Sequence, residues 1–279
     1  MKDTTKRRVD EQLRRVSARV TKGIAARSGV HYGMYLASGY PKSGTSWLGQ
    51  LMGTYLDLPH PQNYSMPIAM ASVLQNHWLY DERFPKSAYV CRDGRDILVS
   101  LYFYQMRSIT QPRHPRQAAR LDERFKRYLG ANYDPNDVAA NIGRFVEAEF
   151  VDPVAVRGVS WGDHVRSWCA EDHSNVVVTR YEDLLGDPQA EFGRLMAGLT
   201  GAPADEARVQ RALSAHDFAG SGRKPGQEDR SSFMRKGISG DWRNHFTSHA
   251  AQAFEEHAGA MLRRLGYEED TSWHLHLEA

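Results

Sequence analysis

Short apolar runs alternate along this chain with longer stretches in which apolar residues recur every three or four positions. The first run, 34–39, reads Met-Tyr-Leu-Ala-Ser-Gly and closes on glycine, and an amphipathic stretch follows over 45–56. The second, Ser-Ala-Tyr-Val-Cys at 87–91, leads through Arg92-Asp-Gly into a helical pattern over about 95–106. The third, Asn-Val-Val-Val-Thr at 175–179, carries consecutive β-branched residues and is the clearest strand signal. Strands this apolar, separated by helices, predict a parallel sheet covered on both faces. Further helices are expected over about 137–150, 161–171, 188–199, 205–215 and 248–265. Two segments read as mobile loops: 110–135, rich in Pro, Arg and Gln, and 220–232, Gly-Ser-Gly-Arg-Lys-Pro-Gly-Gln-Glu-Asp-Arg-Ser-Ser.

Neither an internal repeat nor a convincing linker divides the chain. The expectation is an α/β fold, a single P-loop-type domain over 31–279 with a central parallel β-sheet flanked by helices. The first 30 residues form a basic arm. Over 1–29 nine lysines and arginines face only Asp3, Asp10 and Glu11, and no apolar core of a secretory signal follows. Val9, Leu13, Val16 and Val20 give this arm a weak apolar stripe, consistent with a solvated, partly helical segment.

Composition narrows the function classes. Of the 279 residues 41% are hydrophobic and 25% charged, enough for a substantial core. The lack of any stretch of about 18 apolar residues predicts no membrane span. Two cysteines far apart, Cys91 and Cys169, argue against a disulfide framework or zinc cluster and fit a reducing, cytoplasmic setting. A formal net charge of +2 is too mild to make nucleic acid the main partner.

Chemistry enters at 39–46, Gly-Tyr-Pro-Lys-Ser-Gly-Thr-Ser, which has P-loop spacing with the usual lysine position held by Thr45. The lysine stands three residues earlier, at Lys42. Gly44 still lets the chain approach an anion, and amides at the following helix start point toward it. Lys42 supplies a cation, and Ser43, Thr45 and Ser46 supply hydroxyls. A Walker loop sends its lysine to the β- and γ-phosphates and its hydroxyl to magnesium, so the displaced lysine points away from a triphosphate–magnesium ligand. The strand at 175–179 runs into Arg180 rather than a Walker-B carboxylate.

The full string Tyr40-Pro-Lys-Ser-Gly-Thr-Ser-Trp47 resembles the 5′-phosphosulfate loop of the cytosolic-type sulfotransferase family. Cys91-Arg-Asp-Gly-Arg-Asp-Ile-Leu-Val-Ser100 is similar to its 3′-phosphate segment, and Phe233-Met-Arg-Lys-Gly-Ile-Ser-Gly-Asp-Trp242 to its C-terminal cofactor motif. The three occur in the family's order, and the resemblance spans about 34–266; the expectation is a bacterial member.

The resemblance implies a donor, 3′-phosphoadenosine 5′-phosphosulfate (PAPS), that leaves as adenosine 3′,5′-bisphosphate (PAP), with no metal. The phosphosulfate end falls to Lys42, Ser43, Gly44, Thr45 and Ser46. The 3′-phosphate falls to Arg92 and Ser100, eight residues apart, and to Arg235, Lys236 and Gly237. Trp47, Tyr181 and Phe218 would line the adenine pocket, with Phe233 and Met234 nearby. Asp217 stands where the family often has Thr or Ser.

His77, in Gln75-Asn-His-Trp78, occupies the region of the family's catalytic base, although the eukaryotic Lys-Thr-His is absent. His60 is its nearest rival. Lys42 would stabilise charge on the departing oxygen, and Ser100 would hold Lys42 until an acceptor binds.

The acceptor is expected to be a small hydroxylated or phenolic molecule. Tyr64, Met66, Trp78, Tyr102, Phe103 and Tyr104 are candidates for an apolar wall, with 110–135 as its lid. The region of the family's dimer motif, near 243–252, departs from that motif, so a homodimer stays open. Two alternatives stand beside this reading: a P-loop nucleoside or small-molecule kinase, and a non-catalytic nucleotide-binding module.

Overall fold

A computed structural model describes residues 2–62, 64–112, 114–216 and 238–276, with side chains described within 12–275. Four parallel strands, β1 (Met34–Ser38), β2 (Ser72–Asn76), β3 (Ser87–Cys91) and β4 (Val176–Arg180), form one sheet in the order β2-β1-β3-β4. The register pairs Ser38 with Asn76 across β1 and β2, and Cys91 with Arg180 across β3 and β4. Parallel neighbours need long crossovers, and helices supply them.

The chain divides into two compact units, Met1–Cys91 with Ser167–Asp217, and Arg92–Arg166 with Phe218–Ala279. The first unit holds the sheet. Against one face pack α2 (Thr45–Leu56), α7 (Tyr181–Gly186) and α8 (Pro188–Thr200), and α9 (Glu206–Ala215) packs on α2 and α8. Leu48, Leu51 and Met52 from α2 meet Phe192, Leu195 and Met196 from α8 in this core. Trp168 is fully buried, stacked on Tyr89 of β3 at 5.1 Å between ring centroids, and its indole donates to the Trp78 carbonyl.

Burial explains which strands the sequence revealed. β3 is buried throughout, whereas β4, the clearest strand by composition, lies at an edge and is mostly half-buried. β2 was not foreseen. It occupies the other edge and carries Ser72, Gln75 and Asn76, polar residues that mask its strand character.

The first 28 residues include a 27-residue helix, α1 (Lys2–Ser28). Leu13, Val16 and Val20 are exposed, while Ser17, Thr21 and Ala25 turn inward. Polar anchoring decides the orientation, because Thr21 Oγ1 accepts from the Ile68 amide at 3.1 Å.

The second unit holds α3 (Gly94–Thr110), α4 (Pro115–Leu129), α5 (Val138–Val151) and α10 (Ser248–Arg264). α4 corrects the expectation of a loop over 110–135. Its Pro115 stands in the first turn, where a missing N–H costs nothing, and Phe125 is fully buried. Arg124 anchors it by donating to the Ala148 and Asp152 carbonyls at 2.8 and 2.7 Å, satisfying the C-terminal end of α5. α6 (Trp161–Cys169) ends two residues before the expected Glu171. No helix among the described residues is long and apolar enough to cross a membrane.

Candidate active site

In the first unit, β1 ends at Ser38 and the chain passes through 39–44 into α2. Gly39 is required by close approach: a Cβ there would lie 2.7 Å from the Val90 carbonyl oxygen and 2.8 Å from Thr45 Oγ1. Gly44 is required twice over. Its φ of 92° is left-handed, and a Cβ would meet the Tyr181 ring at 2.7 Å. Lys42 also sits at positive φ, 76°, unusual for a residue with a side chain and characteristic of functional loops.

The loop's hydroxyls bear on what it holds. Ser43 Oγ and Thr45 Oγ1 are buried and make no hydrogen bond among the described residues. A buried hydroxyl without a partner costs roughly 1–3 kcal/mol, so two of them in one loop call for an external acceptor. They stand at the N-terminus of α2, where unpaired amides and the helix dipole favour an anion. The residues present therefore fit the anionic end of a phosphosulfate.

His77 follows β2 directly. Asn76 fixes the turn: its Oδ1 accepts from Ser38 Oγ and from the Trp78 amide, both at 3.1 Å. The imidazole reaches the loop, with Nδ1 2.6 Å from the Gly39 carbonyl oxygen. A carbonyl only accepts, so Nδ1 carries the proton and Nε2 keeps its lone pair. Burial lowers the His77 pKa from its ordinary value, partly opposed by the bond to Gly39. The ring is thus held neutral with its basic nitrogen pointing away from Gly39. His60 is placed otherwise: its Nδ1 lies 3.0 Å from the Val73 carbonyl, and its ring packs over Gly49 of α2.

Trp47 and Tyr181 come together edge to face, 6.3 Å between centroids, and the Trp47 indole donates to the His216 carbonyl at 3.1 Å. Tyr181 also belongs to the hydrophobic core. Phe218, Phe233, Met234, Arg235, Lys236 and Gly237 lie outside the described residues.

In the second unit, Arg92 precedes the N-cap Asp93, whose carboxylate accepts from the Arg95 amide at 2.9 Å. Arg92 Nη2 donates to the Ile238 carbonyl at 3.0 Å and lies 3.7 Å from Asp96 Oδ2. Asp96 in turn accepts from the amides of Gly240 at 2.7 Å and Trp242 at 2.9 Å. Burial raises the Asp96 pKa, and the nearby Arg92 charge opposes that rise. The Arg95 guanidinium is 1% exposed, lies 3.9 Å from the Trp242 ring and 4.5 Å from that of Trp273, and bonds Asp93 and Glu268. Ser100, half-buried, lies on α3.

Of the expected acceptor wall, Tyr102, Phe103 and Tyr104 do not form one surface. Tyr102 is fully buried with its hydroxyl donating to the Pro135 carbonyl, whereas Tyr104 is exposed. Successive residues of a helix point about 100° apart, so Tyr102, Phe103 and Tyr104 cannot share one face. Met66 is exposed, and Trp78 packs against Phe84 at 5.8 Å. Sequence reasoning missed Asn76, although the polar end of β2 was a visible signal, and Asp96, which only its long-range contacts reveal.

Comparison with known proteins gives concordant findings. A family model described as a sulfotransferase domain matches residues 82–266, about two thirds of the chain. That match begins after the 39–46 loop and His77. Sulfotransferase 1E1 of Mus musculus is 27% identical over 188 residues, 63% of this chain and 54% of that protein. The match thus spans about half the length of that relative. Sulfotransferase 1C2 of Homo sapiens is 24% identical over 262 residues, 78% of this chain and 79% of the relative. Among solved structures, mouse sulfotransferase SULT7A1 complexed with PAP shares the fold with a TM-score of 0.60 at 20% identity, covering 93% of both chains.

Proposed function

Because this chain belongs to the sulfotransferase domain family, we propose that it transfers a sulfuryl group from PAPS to a hydroxyl or amine of a small acceptor. The observation that carries this reading is the pair of buried hydroxyls, Ser43 and Thr45, that have no hydrogen-bond partner among the described residues, in the glycine-framed loop at the start of α2. That PAP, what PAPS leaves behind after transfer, is bound in the mouse sulfotransferase structure supports PAPS as the donor here.

In this assignment Ser43, Gly44, Thr45 and Ser46 hold the phosphosulfate end. Lys42, on its left-handed turn, stabilises the charge that develops on the oxygen leaving sulfur. Arg92 and Ser100 take the 3′-phosphate, together with Arg235, Lys236 and Gly237. Trp47, Tyr181, Phe218, Phe233 and Met234 hold the adenine. His77 Nε2 removes the acceptor proton as the new S–O bond forms, a role suited to a ring kept neutral by burial. The reaction needs in-line placement and charge stabilisation above all.

The acceptor class follows from the same chemistry. A neutral histidine base suits hydroxyls activated at near-neutral pH, phenols foremost. The two cysteines form no disulfide, which fits work in a reducing, cytoplasmic setting. The test is transfer of labelled sulfuryl from PAPS across phenols, alcohols and amines. Labelled product that depends on the protein is expected; a protein that turns over ATP with magnesium across the panel, and never PAPS, overturns the assignment.

A further inference from the structure

Two elements assigned to the 3′-phosphate, Arg92 and the segment that continues from Arg235-Lys236-Gly237, meet at one carboxylate. We infer that Asp96 is the positioning residue of the 3′-phosphate subsite and sets the preference for a 3′-phosphorylated nucleotide over its 3′-hydroxyl counterpart. The inference rests on the donor reading above and extends it to a residue that need not touch the ligand.

The geometry is specific. Asp96 Oδ2 accepts from the Gly240 amide and faces Arg92 Nη2, while Oδ1 accepts from the Trp242 amide. The same Arg92 nitrogen donates to the Ile238 carbonyl, the first described residue after Gly237. One buried group, its side chain 1% exposed, therefore fixes both the azimuth of the Arg92 guanidinium and the course of 238–242. The Arg92 side chain itself is 14% exposed.

The carboxylate has little freedom to move. It sits in the first turn of α3, whose N-cap Asp93 is locked to Arg95, and Arg95 is enclosed by Trp242 and Trp273. Gly94 seats this turn closely, since a Cβ would lie 2.6 Å from both Phe254 Cζ and Trp161 Cδ2. A close ion pair in a buried setting orients a cation only while the opposing charge is present and held in place. Neutralising Asp96 should then weaken binding of the group Arg92 is aimed at, and leave the rest of the nucleotide's contacts alone.

The experiment measures binding of PAP and of adenosine 5′-monophosphate by calorimetry to wild type and Asp96→Asn. The expected result is a loss of roughly tenfold or more in PAP affinity with adenosine 5′-monophosphate affinity nearly unchanged. An equal loss for both ligands, or an unchanged ratio, overturns the inference. In wild-type protein, hydrogen exchange at the Gly240 and Trp242 amides should slow with PAP more than with adenosine 5′-monophosphate. This readout does not need the variant to fold, and equal protection by both ligands contradicts the proposal. A wild type that binds both nucleotides equally would instead bring down the donor reading, and the positioning role with it.

Discussion

His77 Nδ1 lies 2.6 Å from the carbonyl oxygen of Gly39, so the residue after β2 is tied to the residue after β1. These strands are parallel neighbours, which brings their C-terminal ends to one edge of the sheet. That edge is where open α/β sheets bind ligands. The bond sets the tautomer and leaves Nε2 as the basic nitrogen.

His77→Ala should retain PAP binding and lose sulfuryl transfer by roughly 10²–10⁴-fold, the usual contribution of a positioned base. Full activity of the variant would reject His77 as the base. The pH dependence has a definite sign. The His77 pKa is lowered, so the neutral base is present above its depressed value, and the rate should rise with pH through a midpoint below about 6.5 and then level off. Stability follows the same direction. The folded state binds the proton less readily than the unfolded one, so the contribution is complete above the ordinary imidazole pKa and is lost as pH falls through the lowered value. A pH–rate profile and denaturation at several pH values check both statements.

Lys42→Gly separates backbone from charge. The left-handed φ of 76° is free of strain for glycine, so stability should be unchanged or higher by up to about 1–2 kcal/mol. Transfer should nevertheless fall by about 10²–10³-fold, because the cation is gone. Urea denaturation and initial rates on one preparation provide the comparison.

Gly44→Ala should lower stability by about 1–2 kcal/mol from the left-handed conformation alone. Further loss comes from collision with the Tyr181 ring. PAP binding should weaken in the same variant, since the loop must shift; calorimetry reads this directly. Unaltered binding with unaltered stability would show that the turn tolerates a side chain.

Arg95→Leu should destabilise by about 3–5 kcal/mol, because it leaves Asp93 and Glu268 without the buried cation between them. Chemical denaturation measures the change. A loss under 1 kcal/mol would mean that the two tryptophans, rather than the charge, hold this corner together.

Much of this arrangement is legible in the chain. The spacing of Gly39 and Gly44, with Lys42 displaced, identifies an anion loop, and α2 spans the 45–56 stretch that its periodicity marks. β3 likewise coincides with its apolar run, because full burial demands apolar residues throughout. β2 was hidden because an edge strand tolerates Gln75 and Asn76, and Asn76 is spent on fixing the turn before His77. α4 was hidden by its charge: arginine, lysine, aspartate and glutamate make up about half of the stretch, so an amphipathic helix that buries only Ala118, Arg124 and Phe125 reads as a polar loop. Asp96 could not be singled out from Asp93 by composition, since its role depends on amides 144 and 146 residues away in sequence.

The central claim is that the 39–46 loop serves a phosphosulfate donor rather than a nucleoside triphosphate with magnesium. Titration calorimetry of the intact protein with PAP, and separately with ATP and magnesium, tests it most directly. The account predicts saturable binding of PAP, abolished or strongly weakened in Lys42→Gly or Gly44→Ala, and much weaker binding of ATP with magnesium. Tight binding of ATP with magnesium and none of PAP would contradict it.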